Sequence, residues 1–248
     1  MMSGVLTCAL FLTVASAPPE PPTMIFLLAG QSNMEGLGEV ARLSKRDLAI
    51  PANVLAWLDG AWQPMKVQGA TFGPEVSFAH ALATALPKER IGIVKYAKGG
   101  TAIAEWSPTD EKSLYAELVK RCQAAKEAAP DARLAAMLWM QGERDSRQTD
   151  TATAYGKNLQ ELVKAARRDV GEETLAFLCG QVNPPYPYAQ LVRKAQAALP
   201  KQVKRASLIS TNGLEKNGDN LHYSTRGQLE LGRRYARAFL DLERSRDK

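Results

Sequence analysis

Short apolar runs alternate with longer amphipathic segments along this chain of 248 residues. Five runs have the length and composition of buried strands, and they cover residues 23–29, 53–58, 90–97, 133–140 and 175–182. Helical spacing of apolar positions follows in the intervals, over residues 74–86, 113–129, 151–170, 188–199 and 226–248. Strands that alternate with helices of this length form parallel sheets covered on both faces. The pattern therefore predicts an α/β protein, a three-layer α/β/α sandwich around a mostly parallel, five-stranded sheet.

Two shorter features extend this pattern. Asp59-Gly60 is a hairpin signal that turns the second strand back through residues 61–63, and residues 206–211 form a further short strand. No internal repeat, low-complexity tract or linker interrupts the chain. We therefore expect one domain over residues 23–248, preceded by a proline-rich segment at residues 18–22.

The first 17 residues have the features of a secretory signal peptide. An apolar core over residues 5–14 precedes the small-residue cleavage site Ala-Ser-Ala at 15–17, although no Lys or Arg precedes the core. The core is much shorter than the about 20 apolar residues of a membrane-spanning helix. We expect a secreted or periplasmic protein, without membrane association once the signal is removed. Cys122 and Cys179 would remain, either as one disulfide or as two buried thiols.

The charge balance changes this picture little. The formal net charge is +6 and the sequence pI is about 9.2, which alone could indicate an acidic partner. The basic residues are scattered, however, and the densest stretch, residues 226–246, has the helical spacing of a solvated helix face. We therefore expect no nucleic-acid partner, and nothing in the sequence indicates an obligate protein partner. With two histidines, no HExxH motif and no clustered cysteines, we expect no metal and no cofactor.

The first predicted strand leads directly into Gly30-Gln31-Ser32-Asn33-Met34. A serine just past a buried strand, in a glycine-bounded turn, stands at the carboxyl edge of the sheet, where open α/β sheets bind ligands. Ser32 is therefore a candidate nucleophile, and the alternative is a turn that caps a helix. The motif differs from the Gly-x-Ser-x-Gly elbow of α/β-hydrolases, which this sequence lacks.

The two histidines have different settings. His80 lies among apolar residues inside a predicted helix, where a structural role is expected. His222 follows Asp219 by three residues in a loop rich in Gly and Asn, so the carboxylate can curl back and accept the proton of one ring nitrogen. The other nitrogen would then be free to take a proton from a serine. A surface turn that happens to hold both residues is an equal alternative.

Two more strand ends bring polar groups to the same edge of the sheet. Gly99-Gly100 follows the third strand and suits either a backbone amide pointing into an oxyanion hole or a plain turn. Gln141 and Glu143 follow the fourth strand and supply an amide and a carboxylate, unless they belong to a solvated charged loop. Together the four loops offer a nucleophile, amide donors, a carboxylate and an Asp-His pair.

These loops resemble the sequence blocks of the SGNH/GDSL hydrolase superfamily. Within it they are most similar to carbohydrate esterase family 6 acetylxylan esterases and sialate O-acetylesterase-like proteins. The matching blocks are residues 30–34, 98–101 with Trp106, 139–145, and 219–222 followed by 225–233. The resemblance covers residues 24–239 and is specific for the family, but much less so for the substrate.

The resemblance implies a flavodoxin-like α/β/α fold and a serine esterase that removes O-acetyl groups from carbohydrates such as acetylxylan. It implies that Ser32 is the nucleophile and His222 the base. The acid that orients His222 is Asp219 or Glu143. We favour Asp219, with Glu143 as a second acid or as a group that positions His222.

The same resemblance implies the groups around the nucleophile. The Ser32 and Gly100 amides and the Gln141 side chain would form the oxyanion hole. We expect the substrate, an acetylated carbohydrate, to be bound by Gln31, Asn33 and Trp106. The tryptophan has a second interpretation, because an indole that can stack on a sugar ring can equally pack in the core.

Alternatives in other functional classes are open. Among esterases, the alternatives are a sialate O-acetylesterase and a generic small-acyl esterase. The alternative of another class is a non-catalytic carbohydrate-binding protein of the same fold. A dinucleotide-binding pattern, Gly-x-Gly-x-x-Ala, occurs at residues 36–41. It begins several residues after the first strand, whereas the dinucleotide fingerprint needs a glycine directly at the strand end.

Overall fold

The computed structural model describes residues 19–246. The predicted signal peptide, residues 1–17, therefore lies outside the described range. Within that range, no helix combines the length and apolar character needed to cross a membrane.

The described residues form nine strands: β1 (Met24–Gly30), β2 (Gly38–Glu39), β3 (Val54–Leu58), β4 (Ala61–Pro64), β5 (Thr71–Phe72), β6 (Ile91–Ala97), β7 (Arg133–Met140), β8 (Ala176–Gly180) and β9 (Ala206–Ile209). They also form seven α-helices: α1 (Ser32–Glu35), α2 (Lys45–Leu48), α3 (Glu75–Ala85), α4 (Leu114–Glu127), α5 (Thr149–Asp169), α6 (Ala189–Gln202) and α7 (Thr225–Arg244).

Seven of these strands make one sheet in the order β4-β3-β6-β1-β7-β8-β9. All neighbours pair in parallel except the β3–β4 hairpin. The predicted fold class is confirmed. The prediction of five strands needs correction, because the hairpin return β4 and the short strand β9 also pair and form the two edges of the sheet.

The centre of the sheet is β1, which is buried along its whole length. On one face, the Phe26 ring packs edge-on against Phe78 of α3 and Phe239 of α7. On the other face, Trp139 of β7 hydrogen-bonds Tyr155 of α5. Alternating side chains of the central strands thus fill two hydrophobic layers, as a sheet covered by helices on both faces requires.

The parallel strands bring their carboxyl ends to a single edge. There β1 ends at Gly30, whose φ is +145° and where an added Cβ would lie 2.0 Å from the Met140 carbonyl oxygen of β7. Only glycine allows the two strand ends to approach so closely. The close approach brings the residues after β1 beside those after β7 and places the start of α1 at this edge.

Candidate active site

Ser32, His222 and Asp219 are hydrogen-bonded in series at the carboxyl edge of the sheet. Ser32 opens α1 immediately after β1, and its Oγ lies 3.0 Å from His222 Nε2. The other ring nitrogen, Nδ1, lies 2.6 Å from Asp219 Oδ2. The structure therefore brings together three predicted residues that come from two distant segments of the chain.

A tight turn orients Asp219 toward the histidine that follows it. Its Oδ1 accepts hydrogen bonds from the backbone amides of Leu221 at 2.9 Å and His222 at 3.0 Å. Partial burial alone would raise the pKa of Asp219, but these two amides and the His222 ring bring that pKa below its usual value. Asp219 is thus an ionised acceptor at neutral pH, and the proton in its bond to His222 lies on Nδ1.

Glu143 does not reach the His222 ring by a hydrogen bond. Its Oε1 accepts from Asn33 Nδ2 at 2.7 Å, and its Oε2 is buried and finds no hydrogen-bond partner among residues 19–246. Burial raises the pKa of Glu143, against the opposing effects of the Asn33 hydrogen bond and the charge of His222. Of the two predicted acids, Asp219 is therefore the one that hydrogen-bonds the imidazole in this structure.

A pocket of about 300 Å³ opens above the serine. Its walls come from the loops after β1, β6, β7, β8 and β9: Gln31, Ser32, Gly100, Glu143, Arg144, Arg147, Tyr186, Leu221 and His222. It is large enough for an acetyl group with part of a sugar ring, and it leads directly to the Ser32–His222 pair.

The Gly99-Gly100 loop presents a free amide to this pocket. Gly100 has a φ of +72° and no atom near the position of a Cβ, so its backbone is open to the pocket. Within the described part of the chain, Gly100 N donates no hydrogen bond. The neighbouring Gly99 N donates to Glu35 Oε2 at 3.0 Å, which anchors the loop beside Ser32.

The structure does not support the predicted oxyanion role of Gln141. Its side chain is fully buried and is absent from the pocket wall. Its Nε2 donates to Thr101 O at 2.8 Å and to Asp145 Oδ2 at 2.6 Å, so both amide hydrogens are already used. Gln31 is a better candidate for the oxyanion hole because it lines the pocket. Its Oε1 accepts a hydrogen bond from Arg144 N at 3.3 Å, so its Nε2 points away from that bond.

Two of the predicted substrate-binding residues also need correction. Trp106 is fully buried, packs edge-on against Trp139 and donates from its indole nitrogen to Thr101 Oγ1 at 3.1 Å. Asn33 is only 1% exposed and uses its side-chain groups on neighbouring loops. Among the predicted substrate ligands, only Gln31 lines the pocket.

Three residues of the pocket wall carry no sequence signal that singled them out. The Arg147 guanidinium lies 4.6 Å from the centre of the Tyr186 ring and donates to its hydroxyl at 2.6 Å. Arg144 is exposed nearby. Within residues 19–246, neither arginine forms an ion pair with a carboxylate. Arg144 lies inside the third block, residues 139–145, and Arg147 follows it by two positions, which could have marked both as candidates.

The remaining candidates lie away from the site. His80 Nε2 lies 3.0 Å from the Asp47 carbonyl oxygen, in agreement with the structural role expected for this residue. Cys122 and Cys179 are both buried and unpaired with each other, so of the two alternatives the structure has free thiols. Burial raises the pKa of Cys122 to about 12 and raises that of Cys179 as well, which makes both thiols poor nucleophiles.

Known proteins resemble the chain over nearly its whole length. The family described as "Carbohydrate esterase, sialic acid-specific acetylesterase" matches residues 22–241. A probable carbohydrate esterase of Arabidopsis thaliana is 32% identical over 246 residues, covering 90% of this chain and 92% of the relative. An Arabidopsis thaliana X-ray structure superposes with a TM-score of 0.81 at 30% identity, over 89% of this chain and 99% of that one.

Two more distant structures share the fold. A carbohydrate acetylesterase of Xanthomonas citri superposes with a TM-score of 0.67 at 21% identity, over 90% of this chain and 56% of that one. The acetylxylan esterase Axe2 of Geobacillus stearothermophilus gives a TM-score of 0.53 at 15% identity, over 88% of this chain and 95% of that one.

The chain shares its fold with these two esterases. It belongs to the carbohydrate esterase family of sialic acid-specific acetylesterases, and it is a carboxylic ester hydrolase.

Proposed function

We propose that this protein is a serine esterase that removes O-acetyl groups from carbohydrates through an acetyl-enzyme intermediate. The observation that carries the proposal is the hydrogen-bonded series from Ser32 Oγ through the His222 ring to Asp219. In this arrangement the nucleophile contacts its base, and the base is oriented by an ionised acid.

In the first half of the reaction, Ser32 Oγ attacks the acetyl carbonyl carbon while His222 Nε2 takes the hydroxyl proton. The tetrahedral intermediate collapses as the bond to the sugar oxygen breaks, and His222 returns its proton to that oxygen. In the second half, His222 takes a proton from water, which attacks the acetyl-enzyme. As the bond to Ser32 Oγ breaks, His222 returns that proton to Oγ and acetate leaves.

The oxyanion of each tetrahedral intermediate needs donors on the pocket wall. We assign this role to the Ser32 and Gly100 amides, as expected from the sequence, and to Gln31 Nε2 in place of Gln141. Supporting this choice, Gln31 lines the pocket, whereas Gln141 Nε2 is committed to Thr101 and Asp145. Removing one such donor typically costs about 100- to 1000-fold in turnover.

The test is acetate release by the purified protein beside its Ser32→Ala variant. The substrates are acetylated xylan, acetylated oligosaccharides, O-acetyl sialic acid and a chromogenic acetate. Release from a carbohydrate that the substitution abolishes would support the proposal and name the substrate. If neither Ser32-dependent release nor labelling of Ser32 by a fluorophosphonate were seen, the protein would instead be a non-catalytic carbohydrate-binding module.

A sialic acid ester is the second candidate, and one observation favours it over a neutral acetylxylan. Arg144 and Arg147 stand on the pocket wall without a carboxylate partner in the described range, so the wall is positively charged. Arginine recognises carboxylates through paired hydrogen bonds. A higher kcat/KM for O-acetyl sialic acid than for neutral acetylated oligosaccharides would support this assignment.

A further inference from the structure

Asn33 contacts the peptide groups on both sides of His222. Its Nδ2 donates to the Leu221 carbonyl oxygen at 3.2 Å, and its Oδ1 accepts from Tyr223 N at 3.0 Å. Asn33 is also the residue that follows Ser32 in the chain. One side chain therefore joins the turn that carries the nucleophile to the loop that carries the base.

We propose that Asn33 is a positioning residue that sets the distance between Ser32 Oγ and His222 Nε2. The inference rests on the proposed function of the Ser32–His222 pair. It assigns Asn33 a role different from the substrate contact that the sequence predicted.

Asp219 cannot set this distance, because it lies on the same loop as His222. Its bonds to the His222 ring and backbone fix how the imidazole is turned within that loop. They do not connect the loop to Ser32, so the loop could shift as a unit with the Asp219–His222 bond intact. The side chain of Asn33 supplies the missing connection between the two segments.

Glu143 fixes the orientation of the Asn33 amide. Nδ2 gives its other hydrogen to Glu143 Oε1 at 2.7 Å, so it faces two acceptors while Oδ1 faces one donor. The flipped amide would set its oxygen against a carboxylate and a carbonyl, so only the observed orientation is satisfied. Both Nδ2 hydrogens and Oδ1 are thus engaged within the protein, and Asn33 is only 1% exposed.

The backbone of Asn33 is tied to the same region. Gln228 Nε2, in the first turns of α7, donates to the Asn33 carbonyl oxygen at 3.3 Å. Helix α7 begins at Thr225, just after the loop that carries His222. The bond from Gln228 therefore holds the Ser32–Asn33 turn against α7. Gln228 was not among the predicted site residues, although it lies within residues 225–233, which match the family after the fourth block.

The first test is the Asn33→Ala variant. Misplacement of a reacting group by about 1 Å can cost about 100-fold, so kcat on a chromogenic acetate should fall about 100-fold with KM changed by less than about threefold. The rate at which a fluorophosphonate labels Ser32 should fall in parallel, because that reaction also needs His222 but no sugar contact. In a crystal structure of the variant, the distance between Ser32 Oγ and His222 Nε2 should exceed hydrogen-bond range.

Ser77→Ala is the matched control. Ser77 is another buried polar residue, and its Oγ donates to the Leu229 carbonyl oxygen at 2.6 Å, away from His222. This variant should keep kcat within about threefold of the parent, even if its melting temperature falls as much as that of Asn33→Ala.

A second pair of variants covers the case in which Asn33→Ala does not fold. Asn33→Asp keeps the acceptor for Tyr223 N but sets a second carboxylate against Glu143, so activity should fall. Adding Glu143→Gln supplies an N–H donor to the new carboxylate and should recover kcat about tenfold over Asn33→Asp alone.

Three outcomes would overturn the positioning role. They are a kcat of Asn33→Ala near that of the parent, a raised KM with kcat unchanged, and no recovery in the double variant. These outcomes differ from failure of the proposed function, because that failure would appear in the parent protein as acetate release or labelling that does not depend on Ser32.

Discussion

The two acidic residues of the site have opposite environments. Asp219 is half-exposed and surrounded by donors, so its pKa is lowered, whereas Glu143 is buried with one oxygen unpartnered, so its pKa is raised. A carboxylate that must stay ionised beside an imidazole needs the first environment. The second makes Glu143 a source of instability, which the protein retains one contact away from Ser32, since Glu143 hydrogen-bonds Asn33.

Asp219→Asn tests the role of the first acid. The amide can present its NH₂ to His222 Nδ1 and thereby favour the wrong tautomer, which would leave Nε2 protonated and unable to accept from Ser32. We expect kcat on the chromogenic acetate to fall about 10,000-fold, the size of loss known for such a change in a serine protease. A loss below about tenfold would instead point to Glu143 as the orienting acid.

Glu143→Gln tests the second acid through stability. The raised pKa means that the folded protein prefers the protonated carboxyl. Stability is therefore lost as the pH rises from the usual pKa of 4.5 toward the folded-state pKa. Above this window Glu143→Gln should unfold at a higher temperature than the parent, by a few degrees for about 1–3 kcal/mol of relieved burial.

The pH dependence separates this effect from a general gain in stability. Below about pH 4 the parent is protonated at Glu143, and the two melting temperatures should converge. Glu111→Gln, at an exposed loop position, should leave the melting temperature unchanged at every pH. A constant difference between Glu143→Gln and the parent from pH 4 to pH 8 would contradict the assignment of a costly buried charge.

At the scale of elements, the end of α1 supports the loop that offers the Gly100 amide. Glu35 closes α1, and its carboxylate accepts from Gly99 N, so one short helix carries both Ser32 and the anchor of the opposite loop. The loop has a positive φ at Gly100, and it is also held at its start, where Lys98 N donates to the Gly30 carbonyl oxygen at 3.0 Å.

Glu35→Ala should therefore lower kcat about tenfold, a fraction of the loss expected for a missing oxyanion donor, because the Gly100 amide remains but is less well fixed. Glu35→Gln keeps an acceptor for Gly99 N and should retain most of the activity. Steady-state kinetics on the chromogenic acetate would decide. Equal losses in the two variants would show that the charge of Glu35, and not its hydrogen bond, is what the loop needs.

The elements of this fold could be predicted because their signals are local. Apolar runs such as residues 23–29 and 133–140 gave the central strands, and Asp59-Gly60 gave the hairpin. The edge strands were harder to count, because pairing at an edge depends on a neighbour and not on the run itself. The order of the strands then placed the predicted loops at one edge.

Side-chain roles within the site were predicted less well because they depend on partners far away in sequence. Gln141 is held by Thr101, 40 positions earlier, and Asn33 by Leu221, 188 positions later. From the sequence, Trp106 could either stack on a sugar or pack in the core. Its contact with Trp139, which only the structure shows, identifies it as a core residue. The proximity of Ser32, His222 and Asp219 was easier to predict. Part of the reason is that the turn joining Asp219 to His222 is encoded within four residues.

At the scale of the whole molecule, two sources of positive charge could attract an anionic substrate. The chain carries a formal net charge of +6, and Arg144 and Arg147 add a local positive wall at the pocket. Charge on the whole surface acts over distances that salt screens, with a screening length of about 10 Å at 0.1 M. Direct contact between the substrate and one arginine is screened much less. Measuring the salt dependence of variants therefore distinguishes the net charge from the arginine wall.

If the local wall selects the substrate, Arg147→Gln should lower kcat/KM for O-acetyl sialic acid about tenfold and leave that for the chromogenic acetate nearly unchanged. Arg121→Gln is the matched control. Arg121 also stacks on a tyrosine, with its guanidinium 4.5 Å from the Tyr96 ring centre, and the substitution removes the same unit of charge away from the pocket. Equal losses in the two variants, both abolished by salt, would mean that net charge draws in the substrate. A loss confined to Arg147→Gln that persists at high salt would mean that this arginine binds the carboxylate.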